Sequence, residues 1–143
     1  MTRRVIDANV AVALALRYPY SEAVTRHLLT WQEAEDELFV PSLWQYEVVS
    51  VLRQAVFAKM ISPEDALDAL DAIFALQLDE VAPSTVTHRL ALVWAERLNQ
   101  ASAYDAQYLA TAEHLGAELW TADRRLVQRA QQLGVPWVRH VED

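Results

Sequence analysis

The sequence has 143 residues, the usual size of one domain, and 53% of them are hydrophobic, which excludes a disordered chain. It contains no cysteine, so disulfides, thiolate metal sites and cysteine nucleophiles are excluded, and a reducing cytoplasm is the expected location. The net charge of −8 argues against a protein that coats nucleic acid electrostatically, but an acidic pocket that holds a divalent cation can still approach a phosphate.

Apolar runs and helical patterns alternate along the chain. Gly116 and Gly134 follow two of the helical segments, where they suit a left-handed helix end. Ser62 and Pro63 open another helix as its cap and its first residue. The pattern predicts strands at residues 4–7, 38–40, 78–81, 118–120 and 135–138. It predicts one helix that begins at about residue 10, another that begins at residue 62, and further helices at residues 21–34, 42 to about 60, 84–98, 102–115 and 123–133.

This alternation predicts the α/β class. Short apolar strands separated by helices form a parallel sheet that is covered on both faces, so we expect a three-layer α/β/α sandwich with a parallel sheet of four to five strands. We expect a single domain over residues 1–143, without a linker or an internal repeat. In such sheets the ligand site lies at the carboxyl ends of the strands, and that edge is where we expect the chemistry.

The N-terminus imitates a secretory signal faintly, because Arg3 and Arg4 precede an apolar run at residues 10–16. Asp7 and Asn9 stand where that apolar stretch should begin. Nowhere does the sequence approach the roughly 20 consecutive apolar residues of a membrane span. We therefore expect a cytoplasmic protein without a membrane partner.

Acidic residues from four distant parts of the sequence are expected at the carboxyl edge of the sheet. Asp7 ends the first predicted strand, and Asp123 follows the fourth. Asp105 begins the helix that leads into the fourth strand, and Glu47 lies early in the helix after the second. If these strands run parallel, all of these acids converge on one rim of the sheet.

Each acid also has a purely structural interpretation. Asp7 and Asp123 are suitable helix caps, and Asp105 matches a capping box with the serine three residues before it. Glu47 lies in a helix with hydrophobic residues on nearly every side, which is expected to be buried. A buried carboxylate needs a partner, which is Arg53, another hydrogen-bond donor or a metal.

Taken together, the acids favour a bound cation. Carboxylates about 5 Å apart repel each other by roughly 3 kcal/mol per pair at an effective dielectric of about 20, so an ionised cluster needs a positive charge. Oxygen ligands without histidine or cysteine suit hard ions such as Mg²⁺ or Mn²⁺. Such ions suit phosphodiester cleavage, because they polarise the phosphate.

In order and context, these segments resemble the motifs of the PIN-domain family, in particular of the VapC toxins. Residues 5–9 look like the opening strand with its first catalytic aspartate, and residues 41–52 look like the exit of the second strand with the catalytic glutamate. Residues 104–110 are similar to the third acidic motif, and residues 119–126 are similar to the closing threonine-and-aspartate motif. The resemblance runs from about residue 4 to residue 137.

The resemblance implies a Mg²⁺- or Mn²⁺-dependent endoribonuclease that hydrolyses RNA as the toxin of a type II toxin–antitoxin pair. It also implies a homodimer and a VapB-like antitoxin whose C-terminal segment fills the active-site groove. Composition shows neither partner. The implied catalytic and metal-binding residues are Asp7, Glu47, Asp105 and Asp123. The resemblance also implies that Asn9 and Thr121 support them by hydrogen bonding.

Two other interpretations stay open. A receiver or a haloacid-dehalogenase-like phosphatase also carries acids on a doubly wound sheet, but such a phosphatase needs a second acid where this sequence has Asn9. A receiver needs a lysine after a late strand, and the one lysine, Lys59, lies in a mid-chain helix. The other alternative is a catalytically silent PIN-fold module that binds RNA or protein. A turnover assay with and without EDTA distinguishes it from a nuclease.

Overall fold

The structure, a computed structural model, describes the whole chain from Met1 to Asp143 as five strands and seven helices. The strands are β1 (Arg3–Ile6), β2 (Glu37–Pro41), β3 (Asp79–Val81), β4 (Glu118–Thr121) and β5 (Val138–His140). The helices are α1 (Ala8–Val12), α2 (Ser21–Glu33), α3 (Leu43–Phe57), α4 (Pro63–Phe74), α5 (Thr85–Leu98), α6 (Tyr104–Leu115) and α7 (Arg124–Gln132).

All five strands are parallel and form one sheet with the order β3-β2-β1-β4-β5, which confirms the predicted parallel sheet. β1 is the central strand, and its Val5 lies opposite Phe39 of β2 and Leu119 of β4. From β1 the chain proceeds to β2 and β3, and it then returns across the sheet to β4. The strand order therefore reverses between β1 and β4, and at such a switch point the carboxyl ends of the strands leave a crevice for a ligand.

Helices cover both faces of the sheet, which gives the three layers that the sequence predicts. α3 packs against α1 and α4, whereas α5 packs against α6, and α6 lies along β1, β2 and β4. Because parallel crossovers are right-handed, the reversal of direction after β3 puts the later helices on the opposite face from the earlier ones. The layers enclose one cluster of 36 buried hydrophobic residues. Among the helices, none combines the length and the apolar character that a bilayer crossing requires.

Glycine and proline set several element boundaries. Gly116 and Gly134 end α6 and the last turn after α7, with φ angles of 62° and 73°. The fifth strand begins at Val138, three residues later than the sequence predicts. The amide of Val135 still bonds back to the end of α7, and Pro136 has no amide to donate to a sheet.

The helix α3 is not buried on every side, which corrects the prediction made from its sequence. Trp44, Val48 and Leu52 lie in one row that faces the core. Tyr46 and Phe57 on the outer side are 75% and 78% exposed. Hydrophobic composition indicates how much of a helix is apolar, but it does not show which part of that surface another element covers.

Candidate metal centre

Asp7 directly follows β1, at the switch point between β1 and β4. Its amide extends the pairing of these strands by donating to the carbonyl of Trp120 at 3.0 Å. The residue is only 8% exposed, and its Oδ2 accepts a hydrogen bond of 2.8 Å from the Thr121 hydroxyl. Asp7 occupies the N-cap position of α1, but its side chain makes no cap hydrogen bond, so helix capping does not explain why this position has a carboxylate.

Thr121 connects the two loops that meet at the switch point. Its buried hydroxyl donates to Asp7 and accepts from Asn9 Nδ2 at 3.3 Å and from the amide of Asp123 at 3.0 Å. Asn9 also accepts through Oδ1 from the amide of Ala122 at 3.1 Å. Since a hydroxyl has one proton and two lone pairs, Thr121 uses its full hydrogen-bonding capacity. The network holds the loop after β4 against the start of α1.

Burial changes the protonation of Asp7. Loss of solvation raises the pKa of its carboxyl to about 7, and the charges of Glu47 and Asp105 act in the same direction. The hydrogen bond from Thr121 opposes this rise, because it stabilises the charged form. A nearby cation stabilises the ionised form of a carboxylate. This stabilisation is larger for a buried carboxylate that titrates near neutral pH than for an exposed one.

We expect Thr121→Val to raise the pKa of Asp7 above its present value of about 7. The valine cannot donate to the carboxylate, and it also leaves Asn9 and the amide of Asp123 without their acceptor. We therefore also expect a loss of about 1–3 kcal/mol in the free energy of unfolding. Carbon-13 NMR titration of the Asp7 carboxyl and urea denaturation measure the two effects.

The matched control for this experiment is Thr111→Val. Thr111 is equally buried, but its hydroxyl donates to the carbonyl of Gln107 within its own helix. This variant should leave the pKa of Asp7 unchanged. An Asp7 titration that is the same in Thr121→Val as in the wild type would show that the Thr121 hydroxyl does not stabilise the carboxylate.

Glu47 is half-buried in α3, and its partner is a tyrosine from α6. The hydroxyl of Tyr108 donates to Glu47 Oε1 at 2.5 Å. Arg53, one of the partners considered from the sequence, instead lies over the ring of Phe57, 5.7 Å from its centroid. Burial raises the pKa of the Glu47 carboxyl, the Tyr108 hydrogen bond lowers it and the charge of Asp105 raises it.

Asp105 lies in the first turn of α6 and is also half-buried. Its Oδ2 accepts a hydrogen bond of 3.1 Å from the side-chain amide of Gln100. The capping box considered from the sequence does not form, because the N-cap of α6 is Ala103, which makes no side-chain cap bond. Burial raises the pKa of Asp105, Gln100 opposes this, and the charge of Asp123 adds to the rise.

Asp123 is the N-cap of α7, as the structural interpretation of its sequence suggests. Its Oδ1 accepts hydrogen bonds from the amides of Arg125 and Leu126 at 3.0 and 3.3 Å. These bonds leave Oδ2 without a protein donor. Capping and metal binding are therefore compatible for this residue, because each needs only one of its carboxylate oxygens.

Electrostatic interactions connect the four acids at the carboxyl edge of the sheet, with Asp105 as the one that links Asp123 to the others. The pKa of Asp7 responds to Glu47 and Asp105, and the pKa of Asp105 responds to Asp123. The side chains do not form a ready-made group of three or more ligands at metal-binding distance. Their chemistry nevertheless fits a hard divalent cation, because every donor is a carboxylate oxygen and the negative charges repel one another.

Two side chains at this site were not predicted from the sequence. Tyr108 follows Asp105 by three residues on α6, and this spacing places both on one helix face, which is a signal that could have identified it. Gln100 lies between α5 and α6, after Asn99 in a left-handed conformation. No sequence pattern indicates the direction in which such a loop side chain points.

Comparison with known proteins identifies the family. The model of the family described as PIN domain matches residues 4–132. Ribonuclease VapC12 of Mycobacterium tuberculosis is 32% identical over 125 residues, which cover 87% of this chain and 89% of that protein. Ribonuclease VapC9 of the same species is 35% identical over 130 residues, which cover 89% and 91%.

A solved structure supports the fold. It is described as a toxin–antitoxin complex from Klebsiella pneumoniae, and it has a TM-score of 0.68 at 16% identity, covering 96% of this chain and 97% of that chain. At this identity the likeness concerns the fold alone. These findings exclude the alternative interpretations of the chain as a receiver or as a haloacid-dehalogenase-like phosphatase. Because the family model and the mycobacterial relatives all cover most of the sequence, the chain belongs to the PIN-domain family, in its VapC group.

Proposed function

We propose that this protein is a metal-dependent endoribonuclease that hydrolyses RNA phosphodiester bonds, acting as the toxin of a type II toxin–antitoxin pair. The observation that carries the proposal is the position of Asp7, a buried carboxylate at the switch point of the sheet that responds to the charges of Glu47 and Asp105. Such a group needs a positive charge to stay ionised. That the VapC relatives are named ribonucleases supports RNA as the substrate.

The chain's own residues hold and orient the carboxylates of the site. Thr121 and Asn9 keep Asp7 in position, and Tyr108 does the same for Glu47. When bound, the cation polarises the phosphate and offsets the negative charge that develops in the transition state. The residues that we assign to the cation are Asp7, Glu47, Asp105 and Asp123.

We propose Mg²⁺ or Mn²⁺ as the ion. Zinc prefers nitrogen and sulfur ligands, and this sequence has no cysteine. His140, which lies against the loop after β4, has both ring nitrogens in hydrogen bonds with backbone groups, the carbonyl of Ala122 and the amide of Glu142. An imidazole engaged in this way has no free lone pair for a metal.

We also propose a VapB-like antitoxin as the partner. The VapC relatives support this, and the Klebsiella pneumoniae structure shows that a protein of this fold occurs in a toxin–antitoxin complex. An antitoxin that fills the groove must neutralise or displace the charge at the carboxylates, so we expect it to present a basic side chain there. A homodimer remains a prediction from the family resemblance, and a cytoplasmic location remains a prediction from the composition and the N-terminal sequence.

The test is cleavage of a fluorescent single-stranded RNA in Mn²⁺, Mg²⁺ or EDTA. We expect cleavage with either ion, no cleavage in EDTA, and recovery when Mn²⁺ is added back. Asp7→Asn, purified in parallel, controls for contaminating ribonucleases. Cleavage that persists in EDTA would reject a metal-dependent mechanism, and RNA binding without cleavage in any ion would favour the catalytically silent module.

A further inference from the structure

A cavity of about 520 Å³ lies at the carboxyl ends of β2 and β3, on the sheet edge that also carries the acids. Its walls come from the first turns of α3 and α5, the first half of α6 and the loops that precede these helices, so it shares two helices with Glu47 and Asp105. The volume falls within the range of about 300–1,000 Å³ that is typical of small-molecule sites. We call this cavity the tyrosine pocket, after Tyr46 and Tyr104, which line it.

The two tyrosines are unusually open to solvent for large aromatic side chains. Tyr46 is 75% exposed and Tyr104 is 61% exposed. Each lies next to a candidate metal ligand in the sequence, Tyr46 before Glu47 and Tyr104 before Asp105. Exposed aromatic rings are platforms on which the bases of single-stranded RNA stack.

The lining of the tyrosine pocket contains no carboxylate, ammonium or guanidinium group. None of its 14 residues is aspartate, glutamate, lysine or arginine, although the chain has a net charge of −8. A phosphate or another anion would need a cationic partner here. A neutral, planar group that is partly apolar and partly polar fits better.

Polar groups for such a ligand lie on the α6 side of the pocket. Gln107 donates through Nε2 to Nδ1 of His88 at 3.1 Å, which fixes the orientation of its carboxamide. Its carbonyl oxygen is left to accept a hydrogen bond from a ligand. The hydroxyl of Ser102, also in the lining, is engaged with no protein group. A nucleobase edge presents complementary donors and acceptors.

We propose that the tyrosine pocket binds one unstacked nucleobase of single-stranded RNA, with Tyr46 and Tyr104 contacting its face and Gln107 contacting its edge. The inference rests on the proposed ribonuclease function, because a cation held by the carboxylates at this sheet edge would bind the phosphate to be cut. The pocket thus selects the nucleotide that flanks the scissile bond, and the phosphate itself stays at the metal.

The test compares RNA strands of equal charge with and without bases. Binding of 12-nucleotide homopolymers of adenosine, cytidine and uridine is measured by fluorescence anisotropy in Ca²⁺, beside an abasic 12-mer. We expect the wild type to bind at least one homopolymer about tenfold or more tightly than the abasic strand. Tyr104→Ala should lose most of this difference, and Tyr104→Phe, which keeps the ring, should retain it.

Further variants separate the pocket from general effects. Gln107→Leu should change the order of preference among the three homopolymers, because it removes the edge contact. Phe57→Ala, which truncates a ring at the far end of α3 that is even more exposed than Tyr104, should change nothing. Mn²⁺ affinity should be the same in all variants, which shows that Asp105 beside Tyr104 is undisturbed.

The outcomes distinguish this inference from the function on which it rests. If the wild type cleaves RNA, but Tyr104→Ala and Gln107→Leu keep its base preference, the pocket assignment is overturned and the nuclease stands. The pocket assignment is also overturned if the wild type cleaves RNA but binds no homopolymer more tightly than the abasic strand. If the wild type cuts no RNA in any ion, the nuclease proposal itself fails. Because Tyr104 and Gln107 are not in the core, circular dichroism should show both variants folded.

Discussion

Asp7→Asn is expected to abolish RNA cleavage and, in the absence of metal, to stabilise the fold at neutral pH. The amide keeps the shape of the side chain and can still accept the Thr121 hydrogen bond through its oxygen. It cannot supply the charge that a divalent cation requires. Since such an ion contributes several kcal/mol to the transition state, we expect a loss of about a thousandfold or more in kcat/KM.

The stability effect follows from the pKa of Asp7. Its folded-state pKa of about 7 lies above its ordinary value of 3.8. Well below pH 3.8 the carboxyl is protonated in both the folded and the unfolded chain, and its burial then does not lower the stability of the fold. As the pH rises toward 7, only the unfolded chain releases the proton, so the free energy of unfolding falls by roughly 4 kcal/mol in total. Asparagine does not titrate and avoids this loss.

Urea denaturation in EDTA at pH 4, 5.5 and 8 measures this difference. The difference should be smallest at pH 4, and the variant should become progressively more stable than the wild type at higher pH. Added Mn²⁺ should stabilise the wild type and leave the variant unchanged. Asp68→Asn, at an exposed acid of α4, is the control and should show no such divergence. A stability difference that does not grow with pH would contradict the assigned burial penalty.

Glu47→Gln is expected to remove cleavage with little change in stability, and Tyr108→Phe is expected to weaken cleavage by about 10–100-fold. Glutamine can still accept the Tyr108 hydrogen bond but brings no charge to the cation. Tyr108→Phe instead keeps the charge of the Glu47 carboxylate but removes the hydroxyl that orients this carboxylate. Because the half-buried carboxylate then lacks its partner, Tyr108→Phe should also cost about 1–3 kcal/mol in the free energy of unfolding.

Single-turnover cleavage, Mn²⁺ calorimetry and thermal melts of both variants measure these effects. Arg53→Met is the matched control on α3, since Arg53 contacts Phe57 and not the carboxylate. It should leave activity intact. Cleavage by Glu47→Gln at the wild-type rate, together with undiminished Mn²⁺ affinity, would remove Glu47 from the metal site.

The fold was predicted closely because its pattern is local. Apolar runs of strand length alternate with helical periodicity, and this alternation permits few arrangements other than a covered parallel sheet. Capping residues mark helix starts well, as Ser62 and its reciprocal bond with Asp65 show. The prediction that α3 is buried on every side was wrong, because an apolar side chain on a helix can face either the core or the solvent. The exposed ring of Phe57 and the buried ring of Trp44 are equally apolar in the sequence.

For the candidate site, the sequence predicted the edge of the sheet but not the contacts. Asp7 and Asp123 follow strands, and parallel strands bring their carboxyl ends together, so the shared location follows from the order of elements. The alternative of Arg53 as the partner of Glu47 was wrong. It came from reasoning within one helix, whereas the donor belongs to another.

The sequence by itself determined the parallel α/β architecture and the placement of the acids at its carboxyl edge, because helix and strand periodicity and chain order are local properties. Only the tertiary structure decided which side chains pair. The Thr121 donor of Asp7 is 114 residues distant, and the Tyr108 donor of Glu47 is 61 residues distant. Such bonds depend on strand register and helix packing to within a few tenths of an ångström, and no local pattern specifies these distances.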